Sequence, residues 1–186
     1  LFTPNGKLHK ILTKLAFENL LHPFQPFIVG QKIIGPLMAS KFNIPLVFYG
    51  ENGAEYGNNI KDNESPQMNL DFFSKGNLEN IFLDGLNINE IIKKFKFRLN
   101  DFEPYIPPDI EELKKKKIQV HFLGYYLKWD QQEAFYYASE NTGFKINDVR
   151  TEGTYSKYVG LDDKIERFHF FTYFIRLAIV YSFCFN

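Results

Sequence analysis

The chain has one cysteine, Cys184, in 186 residues. It therefore cannot close an internal disulfide or build a cysteine-based zinc site from its own residues, and a reducing, cytoplasmic setting is the expectation. Its four histidines, His9, His22, His121 and His169, lie too far apart for local metal-ligand spacing. Each is expected to be structural, and no metal ligand is assigned. An excess of charge of either sign is also missing, since the formal net charge is +0. Lysines and arginines are dispersed rather than striped, which argues against a nucleic-acid partner. The one dense basic run, Lys114-Lys115-Lys116-Lys117, reads as a solvated helix end complementing the macrodipole.

Long hydrophobic runs are scarce as well. Phe168 to Phe185 is nearly all apolar, but Arg176 interrupts it and the remainder falls short of the ~20 residues a membrane span needs. A buried helix, or a segment foreign to the rest of the fold, is expected there, and no membrane partner. No charged segment precedes an apolar core at the start, so no signal peptide is expected, and Leu1 reads as a start inside a longer chain. There is no Gly-x-x-x-x-Gly-Lys-Ser/Thr, Gly-x-Gly-x-x-Gly, Gly-x-Ser-x-Gly or His-Glu-x-x-His sequence. The common phosphate-loop, dinucleotide, serine-hydrolase and zincin signatures are therefore excluded.

What is present is enough for one core, or one core with an appendage, at 45% hydrophobic and 24% charged residues. The organising stretch is Asn43 to Gly57. Ile44-Pro45-Leu46-Val47-Phe48-Tyr49 reads as a buried strand that ends in a turn rich in glycine and polar groups. Gly50, Gly53 and Gly57 permit close backbone approach, and between them stand Glu51, Asn52 and Glu55. The same residues could make a plain strand-to-helix turn with solvated acids.

Before that stretch, Leu1 to Gly6 reads as the end of a strand. Leu8, Ile11, Leu12, Leu15 and Leu20 then recur at helical spacing from Lys7 to about Leu21. Pro23 and Pro26 are expected to break the chain, and Gln31 to Phe42 to form a second helix. Strand, helix, helix, strand is the order of a right-handed crossover between parallel strands. After Gly57, residues 58–66 read as an exposed loop or lid. Asn87 or Asn89 is expected to cap a short helix, and Asp109 to Lys117 to form another after Pro108. Ile118 to Leu127 is the second strong strand candidate, and its end brings Lys128, Trp129 and Asp130 together. Asp130 with Glu133 and Gly143 marks a helix from Asp130 to Thr142, which leaves Asp130 readable either as a cap or as a ligand contact. Arg150 to Tyr158 is dense in hydroxyls around Gly153. It could hydrogen-bond a polyhydroxylated ligand or form an ordinary surface turn.

Three blocks carry a resemblance: Ile44 to Gly57, the Lys128-Trp129-Asp130 corner, and Arg150-Thr151-Glu152-Gly153-Thr154-Tyr155-Ser156 followed by Leu161-Asp162-Asp163-Lys164-Ile165. In this order they resemble the N-acetyl sugar amidotransferases of bacterial surface-polysaccharide and flagellin-glycan pathways, and most of all the pseudaminic acid biosynthesis members. The resemblance implies a PP-loop ATP pyrophosphatase fold. On that basis the chain would be α/β, a partial doubly wound parallel sheet with an irregular, helix-rich carboxyl-terminal part. Residues 1–57 would belong to the nucleotide-binding domain, 58–117 to an insertion and 118–186 to a final strand and helices, with the tail atypical from about residue 176.

The implied reaction converts a sugar acetamido group into an acetamidino group. An amide carbonyl is a poor electrophile, so ATP with Mg2+ would adenylylate its oxygen and ammonia from a separate glutaminase subunit would displace AMP. Glu51, Asn52 and Glu55 are then the expected catalytic residues. Tyr56, Lys128, Trp129, Asp130, Thr151, Glu152, Thr154 and Tyr155 are expected on the side of the acetamido sugar or sugar nucleotide. The family's Ser-Gly-Gly-Lys-Asp-Ser loop is absent, and Phe24 and Phe27 stand where some members carry a Cys-x-x-Cys pair. The sequence after Ile175 does not follow the family. The chain is accordingly expected to be a carboxyl-terminal fragment, inactive alone. A sugar-nucleotide binding module without activity is the alternative, and a tRNA-thiolating relative would need a basic face that the balanced charge does not offer.

Overall fold

The computed structural model describes residues 2–50, 65–70, 81–128, 130–150, 156–158, 168, 171, 172 and 175. The chain divides into two compact units, one holding the described residues of 1–27, 82–86 and 130–186, the other those of 28–81 and 87–129.

In the first unit, α1 (Gly6–Leu20) begins where the Asn5 side chain accepts from the amides of Lys7 and Leu8. Residues 2–5 are irregular, so the expected opening strand is not seen there; Asn5 ends the chain's entry as a helix cap instead. Leu8, Leu12, Leu15 and Ala16 fall on one face and are buried. Leu21 takes a left-handed conformation at φ 50°, and the amides of Leu21 and His22 reach back to the carbonyls of Phe17 and Ala16. A tight hairpin, β2 (Phe82–Leu83) and β3 (Leu86–Asn87), turns through Asp84 and Gly85, both at positive φ. That Asp-Gly pair satisfies the geometry a two-residue hairpin demands. Asn19 of α1 donates to the Asp84 carbonyl at 2.8 Å. α5 (Gln131–Asn141) belongs to the same unit, with Gly143 at φ 72° just beyond it, and the described residues 168, 171, 172 and 175 are helical as well.

The second unit is built on α2 (Gln25–Phe42) from Ile28 onward and a pair of parallel strands, β1 (Leu46–Tyr49) and β4 (Gln119–Phe122). α2 starts six residues before the expected Gln31. Pro26 sits in its first turn, where an amide has no intrahelical partner to lose, so only the stretch ending at Pro23 breaks the chain. Pro36 lies inside α2 and cannot donate to the Lys32 carbonyl four residues back. The Tyr49 hydroxyl of β1 donates to that carbonyl at 2.6 Å. Gly35 stands beside it, where an added Cβ would come within 3.0 Å of Tyr49 Oη and Val47 Cγ1. Glycine and proline together thus fix where the helix meets the strand.

Between the strands run α3 (Ile88–Phe95), capped by Asn87, a 3-10 segment (Leu99–Tyr105), and α4 (Ile110–Lys115), capped by Asp109. A parallel pair needs such a crossover. Ala39, Leu113 and Ile118 form a buried cluster, with Val47, Met68 and Leu70 against it. Lys116 is the exception in the basic run. Its ammonium donates to the Ser40 carbonyl and to Glu112 Oε1, each at 2.6 Å, and so clips the end of α2 to α4. β4 is shorter than the strand expected from Ile118 to Leu127, because the chain turns into a 3-10 segment at Leu123–Tyr125. The described part is a mixed α/β structure with one small parallel sheet.

Candidate functional site

Leu46 pairs with Gln119, Val47 with Val120, Phe48 with His121 and Tyr49 with Phe122, so β1 and β4 end side by side. In open α/β sheets the carboxyl ends of parallel strands are where sites form, because the chain leaves the ladder there and its side chains are free to converge. Side chains alternate between the two faces. Val47 and Val120 point into the core, and Val120 is completely buried. Leu46, Phe48, Gln119 and His121 therefore share the opposite face, where Phe48 is 48% exposed.

A compact aromatic group occupies the open face near the carboxyl ends. The Phe48 ring meets the His121 and Tyr126 rings edge-on at 5.9 and 5.8 Å between centroids. His121 Nδ1 lies 2.5 Å from the Tyr126 hydroxyl, and its Nε2 lies 3.3 Å from Gln119 Oε1. A carbonyl oxygen can only accept, so in the neutral imidazole Nε2 carries the proton and Nδ1 presents a lone pair to the Tyr126 O–H.

Of the residues expected at the site, Glu51, Asn52, Glu55, Tyr56, Trp129, Thr151, Glu152, Thr154 and Tyr155 lie outside the described residues. Lys128 is exposed, a few residues past the end of β4. Asp130 caps α5, its Oδ1 accepting from the amides of Gln132 and Glu133 at 2.9 and 3.0 Å. Lys128 and Asp130 belong to different units. A scan against protein-family models gives no match, and a search of curated proteins gives none. Function therefore has to be read from the residues themselves.

His121, Tyr126 and Phe48 were not expected at a site, His121 having been read as structural. The signal was available in the alternation: His121 and Gln119 share a strand face opposite Val120, and that face carries no further hydrophobic partner in the strand itself.

Among the described residues no three His, Cys, Asp or Glu side chains come together to hold an ion, so none of them is assigned to Mg2+. The second unit also holds a cleft of about 360 Å³, lined by Leu37, Ser40, Asn100, Glu103, Asp109 and Glu112 among others. Three carboxylates repel phosphate, so this cleft does not fit a nucleotide. Two of them are already engaged. Asp109 caps α4, while Glu112 accepts from Lys116 and from Ser40 Oγ, bonds that hold its carboxyl below the usual range.

Asp84 behaves in the opposite way. It is 6% exposed, its Oδ2 has no hydrogen-bond partner among the described residues, and burial pushes its carboxyl up to about 7. Its place at the hairpin turn gives it a structural role in the first unit. No described helix is long and apolar enough to cross a membrane.

Proposed function

We propose that this chain contributes the acceptor side of an ATP-dependent N-acetyl sugar amidotransferase, which converts a sugar acetamido group into acetamidino in bacterial pseudaminic acid or surface-glycan biosynthesis. β1 and β4 are then two strands of a doubly wound PP-loop sheet. The observation that carries the reading is the parallel, in-register pairing of β1 with β4. It sets the carboxyl ends of two parallel strands side by side, which is where α/β enzymes collect site residues; in sequence the Glu51-Asn52-Gly53-Ala54-Glu55-Tyr56 block follows β1, and Lys128 and Trp129 follow β4.

ATP, when bound, supplies the activation that makes the amide carbon electrophilic, with Mg2+ balancing its phosphates. The chain's own residues have separate tasks. Glu51 and Glu55 orient the incoming ammonia or the ion, Asn52 orients the acceptor amide, and Lys128 and Trp129 border the sugar. Ammonia comes from a glutaminase subunit.

Calorimetric titration with free and nucleotide-linked acetamido sugars, with and without ATP and Mg2+, tests this. The expected result is sugar binding that is lost in Trp129→Ala and Glu55→Ala. Binding of sugar nucleotide with no response to ATP would favour a recognition module without activity. A folded chain that binds no acetamido sugar would overturn the reading.

A further inference from the structure

We propose that Phe48, His121 and Tyr126 form a subsite for the acetamido group itself, with the Tyr126 oxygen as acceptor for the amide N–H. The inference rests on the amidotransferase reading for the identity of the ligand, but its geometry stands separately.

A phenol in water offers its oxygen both as donor and as acceptor, and so recognises nothing in particular. Here the Tyr126 proton is committed to His121 Nδ1 at 2.5 Å, and the imidazole is held in the required tautomer by Gln119 on its other nitrogen. The hydroxyl therefore presents lone pairs only. Donating a hydrogen bond to the imidazole raises the electron density on the phenol oxygen and makes it a stronger acceptor. It seeks an N–H or O–H donor and turns away a carbonyl.

The Phe48 ring stands edge-on to Tyr126 at 5.8 Å and is about half exposed, as is Tyr126 at 53%. A small apolar surface thus adjoins a single directed acceptor. That combination matches an acetamido group, whose methyl seeks apolar contact and whose nitrogen carries one donor. It also leaves the amide oxygen, the atom to be activated, free of contact with this subsite. His121 acts through Tyr126 and is a positioning residue; Tyr126 touches the ligand.

The test uses the whole chain with N-acetylglucosamine and with glucose, which lacks the acetamido group. Binding is measured by calorimetry, and the His121 ring nitrogens are followed by ¹⁵N NMR. Loss of one neutral hydrogen bond weakens binding by about tenfold. Tyr126→Phe and His121→Phe should each show that loss. His121→Asn, whose side-chain oxygen can still accept from Tyr126, should bind within about threefold of the unaltered chain.

N-acetylglucosamine should shift the His121 nitrogen resonances at lower concentration than glucose, whose hydroxyls can reach the acceptor but bring no methyl group to Phe48. If the unaltered chain binds N-acetylglucosamine while Tyr126→Phe and His121→Phe bind it equally well, the subsite is wrong and the amidotransferase reading stands. If His121→Asn binds as poorly as His121→Phe, the assigned proton donation is wrong. If the unaltered chain binds no acetamido sugar, both fall.

Discussion

The two faces of the β1–β4 pair use the same kinds of residue to opposite ends. On the covered face, valine and tyrosine are fixed against α2 and α4, and Phe122 lies beside the Tyr49 ring. Tyr49 there spends its hydroxyl on a helix carbonyl, and Val120 is sealed from water. On the open face, leucine, phenylalanine, histidine and tyrosine remain partly exposed, with their polar atoms bonded to one another. Aromatic content alone therefore does not separate core from site. What separates them is where the hydroxyl proton goes: into the backbone on one face, into an ionisable ring on the other.

The contrast is sharpest in the core beneath the covered face. Leu113→Ala, which empties a fully buried position, should cost about 2–5 kcal/mol in urea unfolding. Gly35→Ala comes next. A methyl within 3.0 Å of Tyr49 and Val47 should cost about 1–3 kcal/mol despite alanine's better helix propensity. Tyr49→Phe should cost about 1 kcal/mol by removing the hydroxyl's hydrogen bond to the Lys32 carbonyl. Pro36→Ala restores an amide that can reach that carbonyl, so the double variant should recover part of the loss in a double-mutant cycle. Phe48→Ser on the open face, where the ring is half exposed, should cost about 1 kcal/mol, well below Leu113→Ala, while reducing acetamido sugar binding. If Phe48→Ser destabilised as much as Leu113→Ala, the open face would be core and the distinction would fail.

Much of the second unit was legible in the sequence because its signals are local. Asn87 caps a helix as expected and a helix follows Pro108, with Asp109 as its cap; Leu46–Tyr49 is the strand its β-branched and aromatic run indicated, but half-exposed rather than buried, because only its Val47 and Tyr49 face is covered. α5 likewise begins at Asp130 and stops before Gly143. What was missed depends on position within an element or on distant partners. Pro26 was read as a breaker because its place in a first turn cannot be known before the helix start is known. The two-residue strands around Asp84-Gly85 are too short to show alternation, although the Asp-Gly pair was a usable hairpin signal.

The site divides in the same manner. Asp130 declares its cap through Glu133, three residues on. The bond from Tyr126 to His121 depends on the 3-10 turn at Leu123–Tyr125 folding the chain back over β4, and no spacing rule announces it.

The buried carboxyl at the hairpin turn makes folding a proton-uptake reaction. Asp84 holds its proton up to about pH 7 in the folded chain, whereas an unfolded aspartate releases it near 3.9. The stabilisation linked to that proton is complete below about pH 3.9 and is lost as pH rises through about 7. Unfolding at pH 6 should therefore release close to one proton from this residue, measurable as a dependence of calorimetric enthalpy on the buffer's ionisation enthalpy. Asp84→Asn should abolish that contribution while keeping the turn, since Asn-Gly suits the same geometry. A fold whose tightest turn is sealed around a proton equilibrates with the acidity of its surroundings each time it forms.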